Sequence, residues 1–358
     1  MKTLIAMSGG VDSSVAAYLM LRQGWDCLGA TMKLYDSQDR PAGSRTCCAM
    51  EDAEDARSVA RRLGIPYYVF NFTGDFQRQV MDRFVRAYSA GATPNPCIDC
   101  NRYLKFERLY RRALELGCDC LTTGHYARID YDKTSGRWAL KKALDPDRDQ
   151  SYVLYAMTQD QLAHTCFPLG ELTKPQVRRI ALDQGFLNAG KPDSQDICFV
   201  PDGDYSAFIR RYTGRDFPPG DFVDLQGRVL GRHRGIIHYT IGQRRGLGLS
   251  AERPWYVRAI DPGTNTVTLA ANEDLYARTL TAGDVNWVAV PGLDRPTRCR
   301  AKIRYRQTEQ PATACQLDEH TLRLTFDSPQ RAVTPGQAVV LYQGDTVLGG
   351  GTILAATK

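Results

Sequence analysis

The sequence predicts a multidomain protein: an N-terminal doubly wound α/β domain, then a small β-rich domain, then a C-terminal β-barrel. Three observations carry this. An apolar run, Leu4 to Met7, leads into Ser8-Gly9-Gly10 and straight into the helical pattern of Val11 to Met20. Strand-like and helix-like stretches then alternate to about residue 205, as in a sheet covered by helices. Beyond that point helical period fades, glycines recur and the apolar runs are short, which reads as all-β.

Leu4-Ile5-Ala6-Met7 is the first strand. Gly9 and Gly10 allow positive φ and close backbone approach in the turn after it. Val11-Asp12-Ser13-Ser14 opens a helix, where free backbone N–H groups and the helix dipole favour an anion. Asp26 to Met32 is the second strand. Ligands of parallel α/β sheets lie at strand C-terminal ends, so Met32 stands either beside a bound base or simply in the core. Met50 to Leu63 has helical period, with Ala53, Ala56, Val59, Ala60 and Leu63 on one face, and Gly64-Ile65-Pro66 ends it. Tyr67 to Asn71 is a third strand and Phe76 to Ala90 a helix.

The prolines of Thr93-Pro94-Asn95-Pro96 predict an extended loop that runs past Cys97 and Cys100 to a helix over Phe106 to Leu116. Cys120 to Ala127 is a strand, Tyr131 to Lys142 a hairpin, and Asp149-Gln150-Ser151 the polar lead into a short helix. Lys174 to Gln184 is helical, and Asp193 to Val200 closes the domain. The boundaries read as 1–205, 206–275 and 276–358.

Composition narrows the function classes. Hydrophobic content of 43% and charged content of 24% fit an ordinary soluble protein, with no run long enough for a transmembrane helix. One Lys precedes the first strand, so neither a signal nor a transit peptide is read there, and a cytoplasmic location is expected. Eleven cysteines, an odd count in a chain of this length, argue against a secreted disulfide framework and for structural, metal-binding or reactive thiols. Net charge of +6 permits nucleic acid without requiring it.

The glycine turn is neither a Walker A loop, which needs Gly-Lys-Ser/Thr, nor the G-x-G-x-x-G dinucleotide fingerprint. Ser8-Gly9-Gly10-Val11-Asp12-Ser13-Ser14 resembles the PP-loop of the ATP pyrophosphatases, which split ATP into AMP and pyrophosphate while adenylating a carbonyl oxygen. Cys97 and Cys100 form a C-x-x-C, by itself compatible with zinc, redox chemistry, an iron–sulfur cluster or none of these. Cys118 and Cys120 read as buried packing residues, and Cys47-Cys48 as an incidental pair in a loop.

Further motifs extend the likeness along the chain. They are Cys47-Cys48 with Glu51 to Ala56, Thr93-Pro94-Asn95-Pro96 with Cys100-Asn101 and Lys105-Phe106, Thr123-Gly124-His125-Tyr126-Ala127, and Asp149-Gln150-Ser151-Tyr152. Ser194 to Phe199, His238 to Gly248 and Thr334-Pro335-Gly336-Gln337 complete the series. In this order they resemble the bacterial tRNA-specific 2-thiouridylases from end to end. That resemblance implies ATP at Ala6, Met7, Ser8, Gly9, Gly10, Val11, Asp12 and Ser13, with Met32 and Gly124 beside the nucleotide and Mg2+ accompanying it. It implies a flipped wobble uridine at Asn95, Pro96 and Cys97, Cys198 as the persulfide carrier, and Cys100 as the second catalytic cysteine, closing a disulfide with Cys198 as sulfur is delivered. It further implies tRNAs for Lys, Glu and Gln as partners, with a cysteine desulfurase or sulfur-relay protein as donor.

One position departs from the pattern: many members carry Asp where this chain has Cys97. The thiol cannot repeat a carboxylate's role, and it creates a trio, Cys97, Cys100 and Cys198, that offers an iron–sulfur cluster as the alternative sulfur carrier. For tRNA contact the resemblance implies His125, Asp149, Gln150, Ser151, Arg304, Tyr305 and Gln337. Two basic stretches agree with it: residues 228–258 hold seven arginines against Glu252, and residues 295–306 hold six Lys or Arg and no acid. Two other classes compete. A PP-loop ligase using an amino nucleophile would not need Cys100 and Cys198, and a tRNA-binding protein without turnover would release no pyrophosphate.

Overall fold

The computed structural model describes residues 1–35, 50–192, 197–200, 202–250 and 253–357. Cys47, Cys48, Ser194, Gln195, Asp196 and Glu252, singled out above, lie outside the described residues. The first domain is built on a parallel sheet. Its strands β1 (Lys2–Ala6), β2 (Asp26–Lys33), β3 (Tyr67–Asn71) and β4 (Cys120–Thr123), with the short strand Thr165–Cys166, run in the order β3, β2, β1, β4, Thr165–Cys166. Every neighbouring pair is parallel.

Side-chain alternation along β1 sends Leu4 and Ile5 to opposite faces, and each is fully buried in a different core. Leu4 joins Leu28, Ala30, Leu121, Phe84 and Phe106. Ile5 joins Val15 and Ala16 of α1 (Val11–Arg22), Val59 of α2 (Met50–Leu63) and Val177 of the helix Lys174–Asp183. The chain leaves β1 toward β2 on one side and later returns as β4 on the other. The gap between β1 and β4 is therefore the switch point where such sheets bind ligands.

The expected strands and most helices form where the sequence places them, with one instructive difference. The chain is already helical at Pro96–Asp99, continues as a wide π-type helix over Cys100–Leu109 and ends at Tyr110–Glu115. The extended loop is thus confined to Thr93-Pro94. Asn95 caps the helix, its side chain accepting the Cys97 N–H at 3.2 Å, and Pro96 sits at the first helical position, where a missing N–H costs nothing.

After the first domain, the strands Tyr256–Asp261, Thr266–Ala270, Gly220–Val223 and Val229–His233 form a four-stranded sheet in that order. Six antiparallel strands then close a barrel in the order Tyr276–Trp287, Leu322–Arg331, Gln310–Gln316, Thr297–Lys302, Ala338–Gln343 and Thr346–Thr357, the last pairing back to the first. Closure removes the sheet's edges. The hairpin Arg128–Asp132/Arg137–Lys141 of the first domain adds to the barrel sheet through Thr346 and Lys141. Its Arg137 donates to the Val288 carbonyl at 3.0 Å and its Arg128 to Asp345 at 3.1 Å. First domain and barrel are therefore joined by backbone pairing and hydrogen bonds.

Candidate active site

The turn after β1 sits at the switch point. Gly9 has φ of +75°, and a Cβ there would lie 2.3 Å from the Asp52 carbonyl oxygen of α2, so the position needs glycine twice over. Ser13 Oγ accepts the Ser8 N–H at 3.1 Å and donates to the Gly10 carbonyl at 3.1 Å, closing the loop on itself. Gly124, immediately after β4, packs on the same loop: a Cβ there would lie 2.7 Å from the Ser13 nitrogen and 2.8 Å from the Asp12 carbonyl carbon. Met32 is 8% exposed and packed in the core that holds Leu4 and Ala30.

Three further residues hold the loop: Tyr126, from the Thr123–Ala127 motif, and Lys174 and Asn188, to which the sequence motifs do not point. Lys174 places its ammonium 2.8 Å from each carboxylate oxygen of Asp12. The Tyr126 hydroxyl donates to Asp12 Oδ1 at 2.8 Å. Asn188 donates to the Gly9 carbonyl and to Ser14 Oγ, both at 2.9 Å. One signal for Lys174 exists: it is a cation at the first turn of a helix, the end the dipole disfavours, so a nearby anion is implied. Asn188 lies in a loop that gives no such signal.

Cys97 and Cys100 lie one turn apart on the helix that Asn95 caps. Cys97 is exposed, while Cys100 and Cys198 are half-buried and packed against the same core. Phe199 anchors the second segment with its ring 5.6 Å from Phe76 and 5.2 Å from Phe84. None of the nine described cysteines is in a disulfide. Among the described residues no three His, Cys, Asp or Glu side chains are grouped so as to hold a metal ion. Asp99, between the two cysteines, has its carboxyl pushed up to about 6 by burial, against the opposing pull of Arg83 and Arg102.

The barrel reaches this helix directly. Gln337 donates to the Thr93 carbonyl at 2.8 Å, and the Thr93 N–H to the Pro335 carbonyl at 2.9 Å, immediately before the Asn95 cap. Lys302 lies 3.8 Å from Asp149, the hydroxyls of Ser151 and Tyr342 are 3.3 Å apart, and the rings of Tyr152 and Tyr305 are 6.0 Å apart. Burial, with the nearby Asp149 and Cys97, raises the Tyr305 phenol above its usual range. Gln150 brackets Tyr126, accepting its N–H at 3.0 Å and donating to its carbonyl at 2.9 Å, which links this seam to Asp12.

Several residues expected at an RNA surface have internal roles here. Asp149 and Ser151 are 8% and 0% exposed and bonded to each other at 2.8 Å. His125 is 7% exposed, bonded to Thr123 at 2.6 Å and 3.3 Å from Lys105; burial and that ammonium hold it well below the usual imidazole range. Arg304 is half-buried and donates to the Ala332 carbonyl at 2.6 Å. The stretch 295–306 has no acid of its own, yet the folded sheet brings Asp327 to Arg298 and Glu309 to Arg300. Asp224 and Asp221 likewise pair Arg228 and Arg232. Arg244, Arg245 and Arg306 remain exposed.

A cavity of about 880 Å³ is at the opposite end of the sheet, lined by Met1, Trp25, Cys118, Cys120 and Cys166 among others. The N–H groups, the switch point and the cysteine helix all lie at the other end. Among the described residues no helix is long and apolar enough to cross a membrane.

A parallel sheet with a Ser-Gly-Gly turn at its switch point, followed by two β domains that clasp it, defines a nucleotide-binding α/β enzyme of the PP-loop kind. Residues 1–202 match the tRNA methyl transferase HUP domain, 206–271 the tRNA methyl transferase PRC-barrel domain and 277–353 the aminomethyltransferase beta-barrel domain. The chain is 48% identical over 352 residues to tRNA-specific 2-thiouridylase MnmA of Clostridioides difficile, covering 98% of both chains. It is 51% identical over 355 residues to the protein of the same name from Lachnoclostridium phytofermentans, covering 99% of both. The chain belongs to the tRNA-specific 2-thiouridylase MnmA family. Likeness to solved structures is weaker: a 4-thiouridine synthetase–RNA complex with bound ATP is 20% identical, with a TM-score of 0.36, over 60% of this chain and 50% of that one.

Proposed function

We propose that this chain is a tRNA-uridine 2-sulfurtransferase of the cytoplasm, using ATP to convert the wobble uridine of tRNA to 2-thiouridine with release of AMP and pyrophosphate. The observation that carries the reading is the joint placement, in a chain of this family, of the PP-loop turn at the β1/β4 switch point and of Cys100 and Cys198 against one core of the same domain. The loop's N–H groups receive the phosphates of ATP. Asp12 is the carboxylate that would hold Mg2+ beside them, and the ion would supply charge neutralisation there. The uracil O2 attacks the α-phosphate, giving adenylated uridine. A persulfide on Cys198 delivers sulfur to C2 as AMP leaves, and Cys100 resolves the remaining sulfur as a disulfide.

Asn95, Pro96 and Cys97 form the helix start that faces the base. Gln150, Tyr305 and Gln337 line the seam that tRNA approaches, with His125, Asp149, Ser151 and Arg304 supporting it from beneath. The three domains divide at 205/206 and 275/276. The sulfur comes from a cysteine desulfurase or a relay protein, and the acceptors are tRNAs for Lys, Glu and Gln.

The test is nucleoside analysis of tRNA after incubation with ATP, cysteine and a cysteine desulfurase. 2-Thiouridine should appear with one pyrophosphate per base. Cys198→Ser should release pyrophosphate and form no 2-thiouridine, and Cys100→Ser should stop after at most one transfer. A Cys198→Ser protein that still thiolates tRNA would refute the persulfide route.

A further inference from the structure

We propose that Cys120 and Cys166 are a second thiol pair of this protein, remote from the nucleotide loop, that a small hydroperoxide oxidises to a disulfide. Their sulfurs lie 3.5 Å apart on adjacent parallel strands, and Cys120 Sγ is also 3.2 Å from the Thr3 hydroxyl. Both cysteines line the cavity of about 880 Å³ at the end of the sheet opposite the switch point. Cys120 is 4% exposed and Cys166 half-buried, so a protein thiol cannot reach the pair, whereas a molecule the size of a peroxide enters through the cavity. A third observation concerns Thr165, which lines the same cavity. It is 7% exposed, and among the described residues its hydroxyl has no hydrogen-bond partner. A buried hydroxyl left so is costly, and a small oxygen compound in the cavity would satisfy it.

The two thiols are not equivalent. A hydrogen bond from Cys166 lowers the Cys120 thiol below its usual range, against the effect of burial and helped by the Thr3 and Thr122 hydroxyls, and the same bond raises Cys166. The first proton therefore leaves Cys120. Burial raises the neighbouring Cys27 and Cys118, so neither competes as a nucleophile. The Cys120 thiolate attacks one oxygen of hydrogen peroxide, the O–O bond breaks, and the electron pair leaves as hydroxide, giving a sulfenic acid. The Cys166 sulfur then attacks the Cys120 sulfur, the S–O bond breaks, and a second hydroxide leaves. The two thiol protons turn both hydroxides into water. The thiols lose two electrons and the peroxide gains them. Register decides what must move. Thr122 stands opposite Cys166, so Cys120, on the same face of β4 as Thr122, meets Cys166 on the diagonal. Diagonal Cα atoms are about 7–8 Å apart, and a disulfide needs about 4.4–6.8 Å. The strand Thr165–Cys166 is two residues long and at the sheet's edge, so it is the element that shifts, by roughly an ångström.

The test is peptide mapping of the reduced full-length protein after hydrogen peroxide, at a dose that oxidises the exposed Cys97. Remaining thiols are alkylated and the protein is digested without reductant. A peptide joining Cys120 to Cys166 should appear, two hydrogens lighter than its reduced halves together, and dithiothreitol should abolish it. Cys118, in the same cavity, should stay alkylated as a free thiol. Cys166→Ser removes the resolving sulfur, so the sulfenic acid on Cys120 persists, and dimedone should label it about tenfold more than in wild type. Should Cys166→Ser not fold, Cys166→Ala carries the same criterion. Cys120 and Cys166 both recovered as free thiols, a linked peptide that joins either of them to a different cysteine, or equal dimedone labelling of Cys120 in variant and wild type would overturn the proposal.

Discussion

Gly124→Ala puts one methyl group where the structure has no room for it. The added Cβ would stand 2.7 Å from the Ser13 nitrogen and 2.8 Å from the Asp12 carbonyl carbon, where ordinary contact begins at 3.4 Å. Both obstacles are backbone, so no side chain can swing aside, and the nucleotide loop must retreat from β4 by about 0.7 Å or more. Overpacking of this kind costs about 1–3 kcal/mol. The functional cost is larger, because a displacement near 1 Å in a positioning element lowers a reaction rate about 10²-fold. We expect a modest fall in melting temperature, tRNA affinity within about twofold, and pyrophosphate release reduced about 10²-fold. Gly190 is the control: a methyl group added there would meet nothing within 4 Å, and Gly190→Ala should leave the rate unchanged. Pyrophosphate release within twofold of wild type in a folded Gly124→Ala protein would refute the idea that β4 sets the loop's position.

Two further outcomes are expected. Arg244→Ala and Arg245→Ala, at exposed positions, should each flatten the dependence of log Kd for tRNA on log salt by about one unit; an unchanged slope means that this face does not meet phosphate. Asp99 holds a carboxyl pushed up to about 6 from 3.8, so between those pH values the native state binds a proton that the unfolded state lacks, and this group's contribution to stability falls as pH rises. Asp99→Asn should therefore gain on wild type by about 1–3 kcal/mol from pH 4 to pH 6 in urea unfolding, and a difference that stays flat across that range would refute the assignment.

The strand–helix alternation is legible because each element carries its own period, and β1 with its turn needs no distant partner to be read. The cysteine helix is hidden for a local reason. Two prolines signal extension, but Pro96 follows an Asn cap and begins the helix instead. The charge balance of the basic stretch 295–306 is hidden for a non-local reason, since the acids that pair two of its arginines, Asp327 and Glu309, lie outside the stretch, on the strand Leu322–Arg331 and just before the strand Gln310–Gln316. Burial of His125 and Ser151 is invisible for a similar cause: motif position says where a residue lies along the chain, whereas distant partners cover it, Phe106 and Phe167 for His125 and Tyr342 of the barrel for Ser151. Lys174 is readable in principle from its place at the wrong end of a helix dipole.

The Gln337 amide on the Thr93 carbonyl gives the barrel a handle on the helix that carries Cys97 and Cys100. Its leverage is reciprocal by thermodynamic necessity. A ligand that grips the barrel more tightly in one setting of that handle biases the cysteines toward the same setting, and an event at the cysteines alters the grip on the ligand by an equal free energy. A partner held on the barrel side and any change that resets the helix are then two ends of one balance, so each is measurable through its effect on the other.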